Sequence, residues 1–287
     1  MKKRVITGAA FAIVILGCIA LQGWVLRLMI LFAGVVAIGE MYRAYEHAGA
    51  LPMRWCGYAY SGIVFCLYAL RALFPDQLSA RVFPIPAGLV AGILLVSAVI
   101  ISHGRIDYER WEKTILPILY PGLFFSLMYG FTELPGWFVR ATALLLAFFM
   151  ASINDVFAML IGLRFGKHRF SGEISPKKSV EGSIAGLVAS ILFAIAIPAL
   201  LNAIAAAKPA LNPDGAILPP LWAFALLGLV GGMASQLGDL VASLIKRHVN
   251  IKDYGTIFPG HGGMMDRMDG ILFCAAVCLA FFHLAGY

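Results

Sequence analysis

A chain of 287 residues that is 61% hydrophobic and only 13% charged is too apolar for a soluble globular protein, since soluble proteins carry about 25% charged residues. Several apolar runs reach the roughly 20 residues that a helix needs to cross a bilayer. The composition therefore predicts an all-α, polytopic bundle of transmembrane helices. A formal net charge of +7 is typical of basic cytoplasmic loops in membrane proteins. No stripe of basic and aromatic residues accompanies it, so we expect no nucleic-acid partner.

The hydropathy pattern predicts about nine membrane spans. The first follows Lys2, Lys3 and Arg4, and no convincing small-x-small cleavage site comes after it. We therefore expect an uncleaved helix rather than a signal peptide. In chain order, the predicted spans cover residues 5–22, 25–41, 57–74, 84–102, 115–132, 137–162, 181–201, 219–245 and 270–286.

The basic residues predict the orientation of these spans. If the N-terminus is cytoplasmic and the spans alternate, the cytoplasmic segments hold all but five of the 22 Lys and Arg residues. Such an asymmetry is the positive-inside pattern of membrane proteins. The exceptions are Arg27, Arg71, Arg81, Arg140 and Lys208.

Residues 1–135 contain few groups that suggest chemistry, and we interpret them as mainly structural spans, with a part in dimerisation. Charges such as Glu40 and Glu46 stand at span ends, where a solvated loop is the default explanation. Residues 136–287 differ, because polar residues enter the apolar helices there. This second region is the predicted catalytic part of the chain.

The sixth predicted span places Asn154 and Asp155 inside an apolar helix. A carboxylate at membrane depth costs several kcal/mol unless it is paired or hydrated, so Asp155 is a functional candidate. A structural, ion-paired aspartate is the alternative.

The loop that follows brings hydroxyl and ammonium groups together at Ser175, Lys177 and Lys178. Such groups beside a helix start form a plausible phosphate cradle, although an ordinary positive-inside loop would look similar. Ser179 is the predicted N-cap of the seventh span. Gly182 and Gly186 form a small-xxx-small face that allows close helix packing.

The eighth predicted span has a second small-xxx-small face at Gly228 and Gly232, and then turns polar. Asp239, Ser243 and Lys246 follow the spacing i, i+4, i+7, which places them on one helix face. A helix that turns polar on one face lines a cavity or meets a partner helix.

A polar segment, residues 243–269, separates the last two spans. Asp266 and Asp269 stand one helical turn apart, and together with Asp239 they form a cluster of acids that would repel one another without a cation. Carboxylate oxygens without cysteine favour Mg²⁺ over zinc. His261, Gly262 and Gly263 offer free backbone N–H groups before a helix start. The basic residues beside the acids, suited to a polyphosphate, are Lys246, Arg247, Lys252 and Arg267.

Metal together with basic side chains is the recurring arrangement for phosphoryl or nucleotidyl transfer. The alternative is a well-paired network of Asp, Lys and Arg at the membrane interface.

The pattern Ser-x-x-Lys-Arg, four residues, Lys-Asp, then Pro-Gly-His-Gly-Gly-x-x-Asp-Arg-x-Asp, from Ser243 to Asp269, resembles the signature of the phosphatidate cytidylyltransferases, or CDP-diacylglycerol synthases. About the last 140 residues share the resemblance, through Asn154-Asp155, the Ser-Pro-Lys-Lys-Ser loop, Glu181-Gly182 and Gly238-Asp239. The family often has Thr where this chain has Ser179, which is a conservative departure.

The resemblance implies that CTP and phosphatidate react to give CDP-diacylglycerol and pyrophosphate. It implies Mg²⁺, with K⁺ as a second ion, bound by Asp239 and Asp266 with Asp269 beside them. It also implies phosphate contacts from Ser175, Lys177, Lys178, Lys246 and Arg247. The family is a homodimer in the cytoplasmic membrane, with an active site open to the cytoplasm and to lipid.

Two other functions stay open at this point. A CTP-dependent lipid kinase would move the γ-phosphate instead, but the match from Ser243 to Asp269 argues against it. A cation- or proton-coupled transporter would use Asp155 and Asp239 as a relay. Transporters usually show broken helices in both halves of the chain, whereas the polarity here is confined to the second half.

Overall fold

The computed structural model describes residues 2–74, 92, 108–169, 172, 174–260 and 262–287. Regular structure in these residues is helical, and their β pairing is limited to two isolated bridges, Arg169 with Ser179 and Phe258 with Gly262. Helices are what a membrane chain must form, because backbone N–H and C=O groups in hydrocarbon have to bond within their own segment. The predicted all-α class is confirmed.

The helices of the described residues follow in chain order, with a π-helical turn, Ile118–Gly122, after α4 and 3₁₀ turns at Tyr129–Glu133 and Pro209–Leu211. They are α1 (Lys2–Leu21), α2 (Gly23–His47), α3 (Arg54–Leu73), α4 (Tyr108–Pro117), α5 (Leu123–Met128), α6 (Trp137–Phe165), α7 (Val180–Ala207), α8 (Leu221–His248) and α9 (Met265–Leu284).

Within the described parts of the chain, seven segments are long and apolar enough to cross a membrane: α2, α3, Tyr108–Glu133, α6, α7, α8 and α9. The predicted count of about nine is not confirmed. The apolar part of α1, Thr7–Leu21, is shorter than these segments, and the predicted span 84–102 lies outside the described residues except for Gly92. Several helices continue into polar sequence beyond the predicted limits, as α2 does to His47, because backbone hydrogen bonding does not stop where hydropathy falls.

The segment Tyr108–Glu133 is not one regular helix. Tyr120 has non-helical backbone angles, φ −142° and ψ 113°, within the π-helical turn. Pro117 and Pro121 flank this residue, and a proline has no N–H to donate to the preceding turn. The predicted span 115–132 is therefore a chain of short helical pieces.

The structure divides into two compact units. Unit 1 comprises Met1–Glu133 and Lys246–Arg267, and unit 2 comprises Leu134–Ile245 and Met268–Tyr287. The predicted catalytic region, residues 136–287, thus supplies segments to both units, and most of the polar segment 243–269 belongs to unit 1.

A buried ion-pair group in unit 1 accounts for two of the basic residues that the charge count places on the far side of the membrane. Arg71 lies 2.9 Å and Arg27 lies 3.6 Å from the carboxylate of Glu133. All three side chains are about nine-tenths buried. Pairing offsets part of the cost of keeping these charges out of water.

Close helix packing through small residues holds unit 2 together. A Cβ atom at Gly182 would lie 2.5 Å from the carbonyl oxygen of Ala158, and one at Gly228 would lie 2.6 Å from the Cα atom of Ile191. The two predicted small-xxx-small faces therefore pack α7 against α6 and α8 against α7. Ser179 caps α7, since its hydroxyl accepts a 3.2 Å hydrogen bond from Gly182 N–H, as predicted.

We expect Gly228→Ala to destabilise the protein, because the added methyl group meets backbone rather than a movable side chain. Overpacking of this kind costs about 1–3 kcal/mol, which corresponds to a loss of roughly 5 °C in Tm. Thermal unfolding in detergent measures it. The control is Gly62→Ala in α3, where nothing lies within 4 Å of the new methyl group. Equal Tm values for the two variants would contradict the packing role.

Candidate active site

Unit 2 carries the first of two charged clusters, here named the Asp239 cluster. Lys178 Nζ lies 2.7 Å from an oxygen of Asp239, and Ser243 Oγ donates to the other oxygen at 3.4 Å. Lys178 Nζ also lies 3.4 Å from the carbonyl oxygen of Gln236. Asp239, Ser243 and Gln236 are all on α8, so the polar face predicted for this helix meets the lysine of the loop before α7.

A buried polar network leads from this cluster into the apolar part of unit 2. Gln236 donates to Asn154 Oδ1 at 3.0 Å, and Asn154 Nδ2 donates to Ser190 Oγ at 2.9 Å and to the Gly232 carbonyl at 3.1 Å. Asn154 is fully buried, whereas its neighbour Asp155 is exposed. The inward polar group of α6 is therefore the amide, and its bonds fix α6, α7 and α8 relative to one another.

The loop between α6 and α7 is tied to the start of α7, which positions its lysines. Backbone N–H groups of Lys167 and His168 donate to the Glu181 carboxylate at 3.1 and 3.3 Å. The Val180 N–H donates to the His168 carbonyl at 2.9 Å. Lys178 N–H closes a turn on the Ser175 carbonyl at 3.1 Å. Ser175 and Lys178 are half-buried and Lys177 is exposed.

Unit 1 carries the second charged cluster, here named the Asp266 cluster. Lys246 Nζ lies 2.9 Å from Asp266 Oδ1. The other oxygen, Oδ2, accepts the backbone N–H groups of Tyr254 at 2.7 Å and Gly263 at 2.9 Å. The Asp266 side chain is only 4% exposed. It therefore ties the loop before α9 to the first turn of that helix while it holds a lysine.

Glu40 is the residue of this cluster that sequence reasoning missed. The expectation of a solvated charge at a span end is wrong, because Glu40 is 1% exposed and lies in unit 1 against the start of α9. Its carboxylate accepts the N–H groups of Met264 at 3.0 Å and Met265 at 2.8 Å. The partners are 224 and 225 residues away in sequence, so no local spacing could reveal the contact.

A tight turn lies between Tyr254 and Gly263, the two residues whose N–H groups bond to Asp266. Phe258 N–H donates to the Gly262 carbonyl at 3.0 Å, and the turn packs on α1 through a ring contact of Phe258 with Phe11 at 5.4 Å. Gly262 has φ +83°, and a Cβ atom there would lie 2.7 Å from Asp266 Oδ2. Only glycine suits this position. The predicted site residue His261 lies outside the described residues.

The other predicted site residues are divided between the two units. Asp269 is buried in unit 2 and its carboxylate accepts the Gly270 N–H at 2.8 Å. Three basic residues of unit 1, Arg247, Lys252 and Arg267, are exposed. Within the described residues, no three His, Cys, Asp or Glu side chains are grouped closely enough to hold a metal ion, and Asp239 and Asp266 each carry a lysine on one carboxylate oxygen.

The fold and the two clusters together define a polytopic helical membrane protein with paired acidic and basic groups at helix ends. Residues 2–285 match the model of the cytidylyltransferase family, and the chain belongs to that family. It is therefore a nucleotidyltransferase, and the family resemblance predicted from the sequence is confirmed.

Several bacterial proteins resemble this chain along nearly all of its length. They include the phosphatidate cytidylyltransferases of Staphylococcus saprophyticus, 28% identical over 276 residues, and Staphylococcus epidermidis, 27% identical over 276 residues. That of Staphylococcus aureus is 26% identical over 276 residues. Each comparison covers 95% of both chains.

Proposed function

We propose that this protein transfers CMP from CTP to phosphatidate, giving CDP-diacylglycerol and pyrophosphate for phospholipid synthesis. The observation that carries the proposal is the family match over residues 2–285. Relatives named phosphatidate cytidylyltransferase align with 95% of the chain. An ionised oxygen of the phosphatidate phosphate forms a bond to the α-phosphorus of CTP. The bond from that phosphorus to the oxygen of the β-phosphate breaks, and pyrophosphate leaves. No side-chain nucleophile is needed, because phosphatidate is already ionised at neutral pH.

The two clusters support this chemistry through their lysines. Lys178 and Lys246 are each held at hydrogen-bond distance from an aspartate, so both ammonium groups have fixed positions before a substrate arrives. Preorganised charges of this kind stabilise negative charge that develops on phosphate oxygens. Together with Arg247, they are the proposed groups that stabilise the departing pyrophosphate. The further proposed substrate-binding residues are Ser175, Lys177, Ser243, Lys252, His261, Gly262, Gly263, Arg267 and Asp155.

Mg²⁺ is the proposed cofactor, with K⁺ as a second ion, and Asp239, Asp266 and Asp269 are the proposed ligands. Their chemistry fits, because carboxylate oxygens are the ligands that Mg²⁺ prefers. Asp239 already pairs with the ammonium group of Lys178, and Asp266 with that of Lys246. When bound, the metal ion supplies positive charge that neutralises the triphosphate.

We also propose that the protein lies in the cytoplasmic membrane as a homodimer, with the active site facing the cytoplasm. The seven apolar segments support the membrane location, and the distribution of Lys and Arg supports the orientation. The homodimer is proposed from the family resemblance.

A label-transfer assay in detergent tests the reaction. The purified protein receives phosphatidate, Mg²⁺ and CTP labelled at either the α- or the γ-phosphate, in separate runs. We expect label in the lipid from α-labelled CTP alone, with release of pyrophosphate. Label in the lipid from γ-labelled CTP would instead identify a lipid kinase. Transfer from neither, with K⁺ present and across lipid acceptors, would overturn the proposal and favour transport.

A further inference from the structure

Glu40 occupies the position of an N-terminal cap for α9, although it belongs to α2. The first N–H groups of a helix have no acceptor within the helix, and the positive end of the helix dipole favours a negative charge there. Glu40 gives one oxygen to the N–H of Met264 and the other to that of Met265, the residue at which α9 begins. A helix from the first half of the chain thus fixes the start of the helix that carries Asp266.

The loop backbone approaches the same carboxylate on two further sides. A Cβ atom at Gly255 would lie 2.2 Å from Glu40 Oε1, and one at Gly263 would lie 2.4 Å from both oxygens. A side chain at either position would therefore displace the Glu40 carboxylate. The two glycines are therefore explained by the close approach of the loop to Glu40.

Glu40 and Asp266 hold adjacent peptide groups of one segment. Asp266 accepts the N–H of Gly263, and Glu40 accepts the N–H groups of the next two residues. On the other side of the loop, Asp266 accepts the N–H of Tyr254, and Gly255 packs on Glu40. Any shift of the Glu40 carboxylate would therefore move the peptides that fix the Asp266 side chain, and with it the partner of Lys246.

We propose that Glu40 is a positioning residue for the reaction: it sets the placement of Asp266 and Lys246 through the backbone of Tyr254, Gly255 and Gly263 without itself contacting substrate. The proposal rests on the proposed cytidylyl transfer. Glu40 is only 1% exposed, and its two oxygens are occupied by backbone N–H groups. Its effect on the reaction must pass through Asp266.

The test is Glu40→Gln, which keeps the size of the side chain but replaces one acceptor oxygen with an NH₂ group. That group would point its hydrogens at a backbone N–H, so one of the two cap bonds is lost. Misplacement of catalytic groups by about 1 Å can cost about 100-fold in rate. We expect kcat to fall about 10- to 100-fold per folded enzyme, with KM for CTP and phosphatidate changed less than about threefold.

The matched control is Glu46→Gln, in the same helix. Glu46 pairs with Arg54 in an exposed ion pair, and such pairs contribute little, so this variant should keep wild-type kcat. A third variant, Glu40→Asp, keeps the charge but shortens the side chain, and should recover part of the kcat that Gln loses. Wild-type kcat per folded enzyme in Glu40→Gln, or a loss equal to that in Glu46→Gln, would overturn the positioning role.

Hydrogen exchange provides a readout that needs no turnover and applies even to a poorly active variant. We expect Glu40→Gln to raise the exchange rates of the Met264 and Met265 amides relative to the wild type and to Glu46→Gln. Unchanged protection there would overturn the capping role. Failure of the proposed function would appear separately, as a wild-type protein that transfers no cytidylyl group. That result would remove the positioning role assigned to Glu40 in the reaction, whereas the capping role would still be tested by hydrogen exchange.

Discussion

Asp266→Asn should lower cytidylyl transfer about 1,000-fold, measured as label from α-labelled CTP in lipid. The substitution removes a charge that fixes the Lys246 ammonium at 2.9 Å, and loss of one preorganised electrostatic group typically costs about 100- to 1,000-fold in rate. It also removes one of the three proposed metal ligands. A rate close to that of the wild type would contradict both roles.

The same substitution should also reduce stability, so the rate must be expressed per folded enzyme. The Asp266 side chain is 4% exposed and that of Lys246 is 13% exposed. Breaking a buried pair by removing one partner costs about 3–5 kcal/mol, whereas replacing both partners is often close to neutral. We therefore expect the double variant Lys246→Met with Asp266→Asn to be more stable than Asp266→Asn alone.

The double variant separates structure from catalysis in the Asp266 cluster. If the pair serves only to stabilise unit 1, turnover per folded enzyme in the double variant should be close to the wild-type value. If both groups act in the reaction, the double variant should fold well and remain inactive. Thermal unfolding in detergent and the label-transfer assay, performed on the same preparations, distinguish the two results.

Much of the fold could be predicted because its causes are local. A span needs a run of apolar residues, a cap needs a hydroxyl before the helix, and close packing needs small residues four apart. Ser179 forms the expected cap, and Gly182 and Gly228 show the expected close packing. Helix ends are less predictable, since α2 and α8 continue beyond their apolar parts into residues that hydropathy assigns to loops.

The site could be predicted only where the sequence itself brings its residues together. Asp239 and Ser243 stand one turn apart on α8, and their contact follows from helical spacing. The contacts of Glu40 could not be predicted in this way, because a single carboxylate at the end of an apolar run resembles a solvated charge. Its partners, the N–H groups of Met264 and Met265, are close only in the folded structure. Gly255 and Gly263 signal a close approach, but they do not tell what approaches.

The orientation of Asn154 and Asp155 is a matter of helical phase. Asn154 lies on the same face of α6 as Ala147 and Ala151, all of them buried. That run of small residues marks the packed face of the helix, and it could have identified Asn154 as the inward group. Asp155 falls on the exposed side of α6. Its side chain is therefore accessible for the proposed contact with substrate.

Lys178 and Asp239 permit the sharper test of catalysis, because their pair contributes little to folding. Their side chains are 21% and 28% exposed, and ion pairs that are accessible to water contribute at most about 1 kcal/mol. We expect Asp239→Asn to lower cytidylyl transfer about 1,000-fold with a change in Tm of no more than roughly 4 °C. A loss of activity here cannot be attributed to unfolding.

The double variant Lys178→Met with Asp239→Asn then decides between an interface network and a reacting one. In an interface network, each single variant leaves one unpaired charge, and removing both charges should return activity to near the wild-type rate. If the cluster is catalytic, the double variant should be no more active than Asp239→Asn, because the Asp239 carboxylate and the Lys178 ammonium both take part in the reaction. Recovery of turnover in the double variant would therefore show that neither Asp239 nor Lys178 takes part in the reaction.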